Sequence, residues 1–238
     1  AIGINAYGTA AAGTDNVAIG NTAMGGSLVT GAANIAIGVN AGDALLAGAC
    51  NVAIGSGALS GATTGIRNIA IGENAIGTGT TTGSRNIGIG ENSMLAITSG
   101  SNNIGIGKET LDATTDGEDN IAIGRSALSA TVNDGDKNIA IGVDAMGSTD
   151  VSGENNIAIG ESSLDYLTSG ICNIAIGVNS LGGSSTGCNN IALGNVAMGG
   201  ADTTGNHNVA IGSNAADALT TGIGNIAIGL NSLGASTT

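Results

Sequence analysis

The sequence predicts an all-β chain, a parallel β-solenoid of about 14 coils with a period of 17 or 18 residues. Three observations predict it. The segment Asn-[Ile/Val]-[Ala/Gly]-[Ile/Leu]-Gly recurs along the whole chain, with its asparagines at Asn16, Asn34, Asn51, Asn68, Asn86, Asn103, Asn120, Asn138, Asn156, Asn173, Asn190, Asn208 and Asn225. One glycine stands three residues before each of these asparagines and another four after it, from Gly13 and Gly20 to Gly222 and Gly229. The chain of 238 residues holds 44 glycines but no proline, phenylalanine or tryptophan. Collagen would need proline and glycine at every third place, and a disordered linker would lack this much isoleucine. A period of 17 or 18 is too short for a propeller blade or a two-helix repeat and suits one solenoid coil.

With positions counted from the asparagine, each part of a coil has a physical reason. The −3 and +4 glycines stand at corners, where a positive φ is open to them. Residues +1 to +3 alternate with period 2 and are β-branched on one side, which predicts a short strand of about four residues. The asparagine column reads as a structural ladder, since stacked amides hydrogen-bond between coils and Asn tolerates corner backbone. A second segment ends at +8 in Leu or Met, as at Leu59, Met94, Leu128, Met146, Leu164, Leu181, Met198 and Leu233. A polar return loop follows, often Thr-Thr, and absorbs the one-residue difference in period. Missing proline keeps every coil free to donate to its neighbour. At about 4.8 Å per coil, fourteen coils make a stack of roughly 65 Å.

A column's composition reports its surroundings. Positions +1 and +3 are Ile, Val or Leu in every copy, which predicts an interior one isoleucine thick. Position +2, on the opposite face, is Ala in all copies except Gly88 and Gly105 and is never polar. An exposed column would drift to polar residues, so both faces read as buried. One coil has only one interior, and the small +2 residues are expected to meet a neighbouring chain in a parallel homotrimer.

The charge balance excludes several functions. Eighteen acidic against five basic residues give a net charge of −13. Scattered Arg67, Arg85, Lys108, Arg125 and Lys137 cannot neutralise a phosphate backbone, so no nucleic-acid partner is expected. No apolar run reaches the roughly 20 residues of a membrane helix, so this segment is not expected to insert. Cys50, Cys172 and Cys188 make neither a disulfide framework nor a metal pair; Cys172 and Cys188 fall on adjacent coils one column apart. The single His207 shares the −1 column with Arg67, Arg85, Asp119 and Lys137, a solvated face, so no catalytic residue, cofactor or metal site is assigned and no enzyme is expected. Asp116, Glu118, Asp134, Asp136 and Glu154 gather acidity on successive coils. Calcium is one reading, and screening by solvent and Lys137 is the other. Thr pairs such as Thr63-Thr64 and Thr81-Thr82 also stack, but Leu46-Ala47 and Val151-Ser152 interrupt them, against a flat ice-binding face.

The unit Asn-Ile-Ala-Ile-Gly-x-x-Ala, as in Asn34 to Ala41 and Asn68 to Ala75, resembles the head repeat of trimeric autotransporter adhesins. It is similar also to repeats of trimeric phage tail fibres. The resemblance spans residues 1–238 and implies a left-handed parallel β-roll, three chains side by side, on a cell surface or virion. The period is longer than in the adhesin heads, which adds a loop to each coil. The expected function is therefore a structural and adhesive segment of an extracellular homotrimeric fibre, a rigid shaft or head for surface attachment. The alternatives are a tail-fibre module whose loops bind a host receptor or glycan, with Tyr166 the one aromatic loop residue of note, and an end-to-end filament. The chain reads as one solenoid domain that opens mid-repeat at Ala1-Ile2-Gly3 and stops at Ser236-Thr237-Thr238, where the next glycine is due.

Overall fold

The computed structural model describes residues 1–8, 12–26, 28–77, 79–130 and 134–234; the break in the repeat expected at 236–238 lies outside them. The chain divides into two compact units, Ala1–Asp119 and Asn120–Thr238. The first contains strands β1 (Val17–Ile19), β2 (Ile35–Ile37), β3 (Val52–Ile54), β4 (Ile69–Ile71), β5 (Ile87–Ile89) and β6 (Ile104–Ile106). The second contains β7 (Ile121–Ile123), β8 (Ile139–Ile141), β9 (Ile157–Ile159), β10 (Ile174–Ile176), β11 (Ile191–Leu193), β12 (Val209–Ile211) and β13 (Ile226–Ile228). Within each unit every strand pairs in parallel with the next at unbroken register, as in Ala36↔Ala53 and Ala158↔Ala175. Each unit is a parallel β-solenoid, as the repeat predicts. The strands are three residues long, because the +4 glycine turns the chain at once.

The two strand faces are the reverse of the sequence expectation. In each strand the middle residue is buried and its two neighbours are not. Ala36, Ala53, Ala140 and Ala158 are fully buried, whereas Ile35 and Ile37 are 38% and 36% exposed. The interior is built from the +2 Ala column, a small residue at +7 such as Ala58 or Ser163, and the +8 Leu or Met. A coil this short brings its opposite walls so close that only a methyl group fits at +2, and the bulkier side chains are turned outward.

Two glycines confirm how tight that space is. A Cβ at Gly88 would lie 2.9 Å from Ile76 Cγ1, and Ile76 replaces the usual Leu or Met. At Gly105 it would lie 2.8 Å from Ser93 Oγ of the preceding coil and 2.9 Å from Thr110 Oγ1 of its own coil. The departures from Ala at +2 thus leave room for the β-branched Ile76 and for the paired hydroxyls of Ser93 and Thr110.

The asparagine ladder forms, but mainly with the backbone. Asn138 donates its main-chain N–H to Asn120 Oδ1 at 2.9 Å and its side-chain N–H to Gly153 O at 2.8 Å. Its own Oδ1 then accepts from the main-chain N–H of Asn156 at 2.9 Å. Each amide therefore fills both halves of a gap in the ladder between coils, which explains why Asn is invariant inside.

The two glycine columns have different causes. Gly55 at +4 has φ 134°, a conformation closed to residues with a Cβ. Gly48 at −3 is not in that region, contrary to the sequence expectation. A Cβ there would come within 2.7 Å of Gly65 O on the next coil, so close stacking demands the glycine. Positive φ falls instead on non-glycine residues at −1, +6 and +8, including Arg67 (58°), Val196 (54°) and Met94 (54°).

Candidate functional site

The surface that stands out is the outward face of the strands. In each unit the +1 and +3 residues form two adjacent apolar columns, with exposures of 42% and 37% at Val17 and Ile19, 36% at Ile71 and 38% at Ile106 in the first unit. In the second, Ile123, Ile176 and Ile211 are 36%, 40% and 38% exposed. A continuous apolar face of this kind marks an interaction surface.

Both edges of the face carry polar residues, interrupted on the +5 edge by the exposed Val39, Val178 and Leu230. On the −1 edge of the first unit Arg67 and Arg85 are exposed, each held at positive φ. On the +5 edge Glu73 and Glu91 are exposed, and Lys108 Nζ lies 3.1 Å from Glu91 Oε1. The hydrogen bond and charge of Glu91 raise the Lys108 pKa. In the second unit Arg125 lies 3.6 Å from Asp144.

His207 is exposed on the −1 column, and its main-chain N–H donates to Cys188 O at 3.1 Å. Cys50, Cys172 and Cys188 are free thiols. Asp116, Glu118, Asp134 and Glu154 are exposed and Asp136 is half-buried. Among the described residues no three His, Cys, Asp or Glu side chains come together as a metal site, and no cavity opens. Tyr166 is 56% exposed on its loop.

Sequence reasoning missed a column of acids at +9. Asp43, Asp112, Asp165 and Asp217 each hold Oδ1 buried without a hydrogen-bond partner. Burial first, then the Glu109 carboxylate, pushes the Asp112 carboxyl up to about 6. Burial also raises Asp165, opposed by a hydrogen bond from Ser148. The signal was Asp recurring where the other coils have Gly, Ser or, once, Leu95 at +9. Tyr7, at a +8 position, is half-buried and ties the first coil to the second: its hydroxyl donates to Gly13 O and accepts from Asn16 Nδ2, both at 2.7 Å.

No helix is long and apolar enough to cross a membrane among the described residues. Compared with known proteins, the chain matches no family model, no curated protein and no solved structure.

Proposed function

We propose that this chain is a non-enzymatic structural segment of an extracellular homotrimeric fibre, serving as a rigid shaft or head for surface attachment. The observation that carries this reading is the pair of Ile and Val columns left outward by every coil. A chain with such a face is driven to cover it, and the cheapest cover for a repeating face is the same face on another copy. The Asn ladder supports rigidity, because each coil is tied to the next by side-chain as well as main-chain bonds. The resemblance of the repeat to adhesin heads and tail fibres supports the extracellular setting and the number three.

Mass photometry or sedimentation velocity on the chain tests this. The expected species is about three times 22.4 kDa. A clean monomer at micromolar concentration overturns it.

A further inference from the structure

In the first unit two coils carry a charge on both edges of the apolar face, and in both the signs are opposite. The β4 coil has Arg67 before its asparagine and Glu73 after its corner glycine; the β5 coil has Arg85 and Glu91. All four are exposed. Within one chain the strand and its corner separate the two edges, and neither arginine forms an ion pair among the described residues.

We infer that the apolar face is covered by a second copy of this chain whose strands stack in the same direction, with the Arg67–Arg85 edge of one copy against the Glu73–Glu91 edge of the next. This rests on the fibre reading and adds to it the edges that meet, the direction and the register. A closed ring of identical chains about an axis along the stack has no translation along that axis, so each coil meets the same coil. Such a ring also brings the edge before the asparagine against the edge after the glycine. Both charged coils are then complementary. The coil above is neutral against positive, Asn102 facing Lys108. A slip of one coil in one direction would set Arg85 against Lys108, a slip in the other would leave Arg67 facing Ser56, and a two-fold axis across the stack would set arginine edge against arginine edge. The two-fold arrangement places like charges together, so the edges select the direction, ring closure fixes the register and the isoleucines supply the affinity.

A charge-swap cycle on the full chain tests this by sedimentation equilibrium at low salt. Arg67→Glu with Arg85→Glu makes both edges acidic, and Glu73→Arg with Glu91→Arg makes both basic. Each double variant is expected to weaken association by about 10-fold or more, and the fourfold variant, which restores opposite edges, to return to about the wild-type value. The differences should shrink in 0.5 M salt, where the screening length falls to about 4 Å. If the fourfold variant is weakened by the product of the two losses, the edges do not meet and the pairing is overturned while self-association stands. A wild-type chain that stays monomeric overturns the fibre reading as well.

Cross-linking provides an independent check without charge reversal. With Cys50, Cys172 and Cys188 changed to serine, Arg67→Cys plus Glu73→Cys should give an interchain disulfide on mild oxidation. Arg67→Cys plus Lys108→Cys, two coils out of register, should not. Absence of the first cross-link, or presence of the second alone, overturns the inference.

Discussion

Coils β5 and β6 in the first unit and coils β9 and β10 in the second face the same packing problem and resolve it differently. Both pairs place a hydroxyl at +7, Ser93 and Thr110 in one, Ser163 and Ser180 in the other. Where the strand keeps alanine, at Ala158 and Ala175, the serine turns back to its own corner: Ser163 Oγ donates to Gly160 O and Ser180 Oγ to Gly177 O, each at 3.0 Å. Where the strand has lost the methyl, Ser93 Oγ reaches across the interior to Gly105 O at 3.0 Å and contacts Thr110 Oγ1 at 2.8 Å. Thr110 Oγ1 still donates to its own corner, Gly107 O, at 3.2 Å, so the missing methyl redirects only the Ser93 bond from within a coil to between coils. In so narrow an interior, the size of one residue sets the bonding of another.

The strongest way to break this difference is Gly105→Ala. The new Cβ would lie within 3 Å of two hydroxyls and overpack the site, so unfolding stability should fall by about 1–3 kcal/mol in a urea titration. Adding Thr110→Ala and Ser93→Ala should recover most of that loss, since the interior then matches the commonest coil. Ser93→Ala alone should cost about 1–2 kcal/mol, because two buried contacts go at once. Ala175→Gly in the other pair should cost about 0.5–1 kcal/mol from strand entropy, and infrared or NMR detection of the Ser163 hydroxyl would show whether it swings inward. Ser163→Ala should stay within about 0.5 kcal/mol of the parent, because its bond serves only its own corner and alanine is the usual resident.

The same two regions differ in their response to pH. Asp112 follows β6 and Asp165 follows β9, at the same +9 position. In the folded state Asp112 titrates at about 6 against 3.8 for an ordinary carboxyl. The folded chain therefore holds more protons between those values, so stability rises as pH falls through about 6 and is lost as pH rises. Asp112→Asn should raise the Tm at pH 7, with little effect at pH 4. Asp165→Asn should act in the same direction more weakly, since the Ser148 hydroxyl already favours its charged form. Calorimetry at the two pH values checks both.

Much of this architecture was legible in the residues. The asparagine spacing locates every strand, and the +4 glycines locate every corner. The sense of the strand was not legible from hydrophobicity, because Ile-Ala-Ile defines two faces without saying which is inside. Ranking by burial tendency puts isoleucine in, but space decided otherwise, and the decisive clue was a column that never exceeds a methyl group. The co-occurrence of Gly88 with Ile76 and of Gly105 with Ser93 and Thr110 carries the same message. The −3 glycines were misread for a related reason: the approach of one coil to the next is a property of the stack and has no local signature. The edge charges Arg67, Glu73, Arg85 and Glu91 were visible as residues, but their relation appears only once the isoleucines between them face outward.

The side-chain bonds of the asparagine ladder join residues 14 to 18 positions apart, as in Asn34 to Gly48 and Asn120 to Asn138. Sequence separation does not grow with the length of the stack, so every coil added closes a loop of the same size and the same entropy. Contact order relative to length then falls as coils accumulate, which is unusual for an all-β chain. A fold of this kind has no distant partner to wait for. It can nucleate on any two neighbouring coils and advance one coil at a time, so a lengthened stack should fold by the same elementary step as a short one.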